Sequence, residues 1–211
     1  MCTKWILALV FIAGLLAVPA SAMMSDFTSI TNSDSLDVAI GEAQLFVDIT
    51  NVGVGRVNFQ FLNIGPAASS ICDVYFDDGS LLGISSIINS PGVSFSQFAA
   101  PGNLPGGAGI SPPFVTTAGF SADSDSPVQP NGVNPGEALS IVFDLKAGQG
   151  FSDVLNELNS GELRIGIHVQ GFANGGSESF VNTPTVPVPG AFLLGSIGLG
   201  FAGWLRRRQM F

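Results

Sequence analysis

Few side chains in this 211-residue chain could do chemistry, and those few are scattered. His168 is the single histidine, and no second histidine stands near it at a metal-ligand spacing. No Gly-x-Ser-x-Gly elbow accompanies it, and the zinc-protease, dinucleotide and phosphate-loop signatures are missing. Hard oxygen ligands of the kind calcium takes occur in two acidic turns, Asp77-Asp78-Gly79 and Asp123-Ser124-Asp125-Ser126. The second begins like a calcium loop but lacks the glycine and the distant glutamate at their required offsets. Asx-type turns are therefore the preferred reading, with Asp77, Asp78, Asp123 and Asp125 kept as candidate ligands of a structural calcium. The chain is read as non-enzymatic, with no catalytic residues and no cofactor.

The elements that must position these residues are strands. Leu45-Phe46-Val47-Asp48-Ile49 and Val57-Asn58-Phe59-Gln60-Phe61 alternate apolar and polar, as half-buried strands do. Ile71 to Phe76 also alternates, which sets Cys72 with Val74 and Phe76 on one face, Cys72 as a buried core thiol. Asp77-Asp78-Gly79-Ser80 is turn material, and Leu81 to Ile88 is expected to return beside that strand. Residues 89–137 are broken by repeated Pro-Gly steps yet hold Phe95, Phe98, Phe114 and Phe120. They read as long loops whose phenylalanines dock on the core. Leu139, Ile141, Phe143 and Leu145 share a strand face, as do Leu163, Ile165, Ile167 and Val169. That last alternation puts Arg164, His168 and Gln170 on the solvent face. Between these strands, Phe151, Val154, Leu155 and Leu158 recur at helical spacing. Glu178 to Val181 supplies a last strand. The pattern predicts an all-β, antiparallel β-sandwich-like domain with one short surface helix.

Charge and cysteine count limit the partners. Residues 23–183 hold all sixteen acidic side chains against Arg56, Lys146 and Arg164, a formal charge of −13. Such a surface repels nucleic acid. Cys2 and Cys72 are the only cysteines, and Cys2 precedes an apolar leader segment, so the domain carries no internal disulfide and must be held by its core.

Both termini read as targeting signals. Lys4, the apolar run Trp5 to Val18 and the small residues Ala20-Ser21-Ala22 form a signal peptide over 1–22, cut after Ala22. Residues 184–190 form a Pro-containing box and hinge, 191–205 an apolar stretch expected as a transmembrane helix, and 206–211 a basic tail led by Arg206, Arg207 and Arg208. The arginines follow the positive-inside rule, which orients the domain outward from an inner-membrane anchor. The apolar stretch is short against the roughly 20 residues a bilayer core asks for.

Val186-Pro187-Val188-Pro189, the apolar stretch and the arginine cluster resemble the PEP-CTERM sorting signals of exopolysaccharide-producing bacteria. The nearest form is the Val-Pro-Leu-Pro-Ala variant, with Val188 in place of its leucine and Gly190-Ala191 in place of its single alanine. The resemblance implies an exosortase-type membrane transpeptidase as partner, an inner-membrane stage, and delivery to the cell surface or an exopolysaccharide-rich matrix. The run Gly161 to Gly171 resembles the distal half of some such precursors and implies a fold but no chemistry. The expected role is an exported structural or matrix protein; the alternative is a calcium- or glycan-binding module of the envelope.

Overall fold

The computed structural model describes residues 22–77 and 81–183. They form ten antiparallel strands in one sheet wound into a near-closed barrel, in the order β5-β8-β3-β2-β1-β10-β9-β4-β7-β6. The strands are β1 (Ala22–Ser29), β2 (Leu45–Asn51), β3 (Arg56–Asn63), β4 (Ser70–Asp77), β5 (Leu81–Asn89), β6 (Phe95–Gln97), β7 (Ser121–Ser124), β8 (Ala138–Leu145), β9 (Arg164–Gln170) and β10 (Glu178–Asn182). Three short helices accompany them: α1 (Ser35–Gln44), α2 (Val128–Asn131) and α3 (Phe151–Ser160).

The all-β, antiparallel reading is what the structure shows, and the sandwich is replaced by a barrel. The physical reason is β1. Its first half, Ala22 to Asp26, pairs with β2, and its second half, Phe27 to Ser29, pairs with β10. One strand thus serves both halves of the sheet, where a sandwich would place a break. Three helices stand where one was expected, and the predicted one is α3. Its Val154 and Leu158 are buried, the Gly150 N–H donates to Asp153 Oδ2 at 2.7 Å, and Gly161 ends it at φ 78°.

The interior is packed with phenylalanine. Alternation in β3 and β8 turns Phe59, Phe61 and Phe143 inward, where they meet Phe76 from β4 on the opposite wall. Ring centroids lie 4.6 Å apart for Phe76–Phe143 and 5.0 Å for Phe59–Phe76, all edge-on. Phe120 adds a further edge contact to Phe143 at 5.2 Å. The two walls are therefore joined through aromatic contacts, and the barrel encloses a core.

Several expectations need correction. Leu81 to Asn89 pairs with β8 and not with β4, whose neighbours are β9 and β7. No helix among the described residues is long and apolar enough to cross a membrane. α1 and α3 have ten residues each, about 15 Å of rise against a core of about 30 Å. The inner-membrane anchoring step and the transmembrane helix are corrected accordingly: nothing described supplies a span, and 191–205 lies outside the described residues. The signal-peptide residues 1–21 with Ala20, the box Val186, Pro187, Val188 and Pro189, and Arg206 to Arg208 also lie outside them. Ala22 opens β1, paired with Thr50.

Candidate functional site

The ionisable cluster of most interest arises from a β-bulge. Ile71 pairs with Val169 and Asp73 with His168, so Cys72 is an extra residue on β4. The bulge breaks the simple alternation. Ile71, Val74 and Phe76 enter the main core, whereas Asp73 and Tyr75 point to the other side of the sheet. Cys72 is fully buried, as expected, but its Sγ lies 3.4 Å from Ser70 O, outside the aromatic core.

Strand register then lines up a polar row. Asp123 on β7 pairs with Asp73, Asp73 with His168 on β9, and His168 with Ser179 on β10. His168 Nδ1 sits 3.0 Å from Asp73 Oδ2, with the side chains only 14% and 4% exposed. The histidine expected on the solvent face is therefore largely covered and oriented by a carboxylate. Asp73 itself was not singled out in the sequence: alternation sets it opposite Val74 and Phe76, as found, but nothing local shows that this face is covered. A charged residue inside the otherwise apolar run Ile71 to Phe76 was the available signal.

A loop covers this side of the sheet. Phe98 N donates to Ser121 O at 2.8 Å, Ala99 N to Ser121 Oγ at 3.0 Å, and Tyr75 Oη to Pro101 O at 3.0 Å. Leu104 and Phe114 pack with Tyr75 in a second, smaller apolar cluster. They press on Gly166, where a Cβ would come within 2.6 Å of Leu104. Arg164 fastens the far end of the loop. It pairs with Asp77, donates to Pro112 O at 2.8 Å and to Pro113 O, and stands 5.3 Å over the Phe114 ring.

Asp73 and Asp123 are like charges directly opposite one another. Burial first, and the Asp73 charge second, push the Asp123 carboxyl up to about 6. A folded-state carboxyl raised in this way binds its proton more tightly than the unfolded chain does. The stability it contributes is present below the ordinary carboxylate range and is lost as pH rises through about 6. Asp123→Asn is expected to flatten that slope and to stabilise the protein near pH 7.5 by about 1 kcal/mol, a figure reduced for partial exposure. Urea midpoints at pH 4.5 and 7.5 check it; identical slopes in both proteins contradict it.

A histidine held by an aspartate is half of a nucleophile-activating arrangement. Among the described residues no activated nucleophile stands beside it. Ser179, the cross-strand neighbour of His168, is 1% exposed, and its Oγ has no hydrogen-bond partner. The row lies as a polar seam beneath the loop. Burial likewise pushes the Cys72 thiol up to about 11. Cys72 in native protein is expected to resist a disulfide reagent such as DTNB at pH 8 and to react fully in denaturant; prompt native labelling contradicts this.

The four carboxylates named as calcium candidates are not gathered into one site. Asp77 is paired with Arg164, Asp123 faces Asp73, and Asp125 accepts from Ser94 Oγ at 2.7 Å and Ser96 Oγ at 2.8 Å. Those hydroxyls hold the Asp125 carboxyl below its usual range. Asp78 lies outside the described residues. No group of three or more His, Cys, Asp or Glu side chains among the described residues is placed to hold a metal ion. Tyr75 is fully buried and presents no aromatic face to a glycan. A shallow groove of about 480 Å³ beside Ser69, Ser70, Gln129 and Pro130 has no ionisable side chain in its lining.

No family model, no curated protein and no solved structure matches this chain.

Proposed function

We propose that the protein is a non-enzymatic structural component of an extracellular or surface matrix, exported by its N-terminal leader. The observation that carries this reading is the filled barrel. Phe59, Phe61, Phe76 and Phe143 are fully buried and joined by four edge contacts at its centre, a packing that supports a rigid structural module. The acidic row has a covered histidine and no assembled nucleophile, which suits a structural role. The surplus of acidic side chains keeps such a domain soluble in a crowded exterior. The box Val186 to Pro189 supports the same destination through its resemblance to sorting signals, and an exosortase-type transpeptidase is the processing partner it names.

The test is mechanical. Cells lacking the chain are expected to form a matrix with a lower elastic modulus, restored by the intact chain and by Asp73→Asn alike. Restoration that fails only with Asp73→Asn, in a variant that still folds, would point to chemistry at the acidic row and overturn the structural reading.

A further inference from the structure

Asp37 breaks the rule that a buried charge is paired. It stands in the first turn of α1, 2% exposed, and its Oδ2 is buried with no hydrogen-bond partner. The local sequence explains how it came to be left over. Asp34-Ser35-Leu36-Asp37 has the spacing of a capping box, in which the carboxylate at the far position bonds back to the N–H of the capping residue. Asp34 fills the cap, accepting from Leu36 N at 2.8 Å and from Asp37 N at 3.3 Å. Its own N–H, the donor Asp37 would take, goes to Glu178 Oε1 at 2.8 Å. Glu178 also takes the hydroxyls of Ser29 and Thr31, and Glu42 Oε1 takes Ser29 N. These donors are spent on other carboxylates.

Asp37 faces the loop between β9 and β10 instead. A Cβ at Gly176 would stand 2.3 Å from Asp37 Oδ2 and 2.9 Å from Asn174 Oδ1, so the two oxygens converge on one point. Asn174 Oδ1 accepts from Gly176 N at 2.7 Å and, as an amide oxygen, keeps a second lone pair. Asn174 and Gly175 are exposed, which lets water reach this oxygen. No basic side chain neutralises the corner. Residues 23–183 hold three: Arg56 pairs with Asp144, Arg164 pairs with Asp77, and Lys146 follows β8. That end of β8 is the far end from α1, since Leu145 N bonds to Gly55 O, whereas Leu45, where α1 meets β2, pairs with Asn63.

We propose that Asp37 Oδ2 and Asn174 Oδ1 bind one calcium ion, which ties the start of α1 to the β9–β10 loop. A carboxylate and an amide carbonyl are the hard oxygens calcium takes, and it tolerates irregular geometry with water completing its shell; magnesium demands a stricter octahedron. The surrounding charge of Asp34, Glu42 and Glu178 favours a divalent ion over a monovalent one. The ion is held by one carboxylate and neutral oxygens, not by three or more acidic side chains, so the site is a weak one. Its affinity belongs in the range of about 10⁻⁴ to 10⁻³ M found for extracellular modules. Calcium binding here goes beyond the matrix reading and does not depend on it.

The test is a thermal melt of protein purified as cells release it, stripped with EDTA and titrated with calcium chloride. About 10 mM calcium is expected to raise Tm by about 5 °C, and magnesium chloride at the same concentration by much less. Asp37→Asn is expected to raise the calcium-free Tm, because an unpaired buried charge is removed, and to abolish the calcium response. Asp125→Asn keeps the response. Asn174→Asp retains an acceptor for Gly176 N and adds a charge in an exposed loop, so it is expected to bind calcium about tenfold more tightly. That variant carries the test if Asp37→Asn does not fold. Hydrogen exchange should show calcium protecting the amides of 34–38 and 172–177. No shift at about 10 mM would mean that a proton or a buried water satisfies Asp37, and overturns the proposal. A shift that survives Asp37→Asn, an Asn174→Asp variant that binds no more tightly, or an equal shift with magnesium overturns it as well.

Discussion

Phe76→Ala is expected to lower folding stability by about 4 kcal/mol, the upper part of the range for truncating a buried phenylalanine. Phe76 is fully buried and its ring makes edge contacts with Phe59, Phe61 and Phe143, at 5.0, 6.2 and 4.6 Å between centroids. It is the residue through which the β4 wall grips the β3–β8 wall. Removing it forfeits the transfer energy of the ring, three aromatic contacts, and any easy collapse, because the neighbouring rings are all fixed on the facing β3–β8 wall. Phe76→Leu, which keeps most of the volume, is expected to cost about half as much. Urea unfolding of the three proteins measures this. A loss below about 1.5 kcal/mol for Phe76→Ala would mean that the walls do not depend on this cluster.

Glu178→Ala is expected to cost about 3 kcal/mol, from polar contacts and not from packing. Glu178 begins β10 and is 1% exposed. Its carboxylate accepts from Asp34 N at 2.8 Å, from Ser29 Oγ at 3.4 Å and from Thr31 Oγ1. These donors lie between β1 and α1, beside the strand that carries the sheet from one half of the barrel to the other. Alanine removes the buried carboxylate that all three donors share and leaves the buried Ser29 hydroxyl without this acceptor, while Glu178→Gln keeps one carbonyl oxygen and is expected to lose about half as much. Hydrogen exchange locates the effect: amides of β1 and α1 should lose protection first. Uniform loss across the barrel would contradict the assignment of Glu178 to this corner.

Much of the framework was legible because its strands have one wet and one dry face. β2, β3, β8 and β9 follow alternation, and α3 follows the helical spacing of Phe151, Val154, Leu155 and Leu158. The elements that escaped notice lack such a pattern. β1 divides its pairing between two strands and reads as polar, with Ser25 and Ser29 buried. α1 buries Asp37, Gly41 and Gln44, so no apolar stripe marks it. Gly41 is needed there because a Cβ would come within 2.1 Å of the Phe180 ring. Asp34, whose Oδ1 accepts from Leu36 N at 2.8 Å, was a helix-start signal standing in plain view. The polar row was hidden for a different reason. Alternation sets Asp73 and His168 on the outer face of the sheet, as found, but their cross-strand partners and the loop that covers them come from distant parts of the chain. Global closure escaped as well, since the strand order depends on long-range pairing that alternation does not encode.

The central claim, an exported structural barrel, is tested most directly by intact-mass analysis of the protein recovered from the matrix fraction and from cell lysate. The account predicts that most of it is in the matrix, begins at Met23, and has a new C-terminus near Pro189. Full-length protein, from Met1 to Phe211 and confined to the lysate, would contradict it.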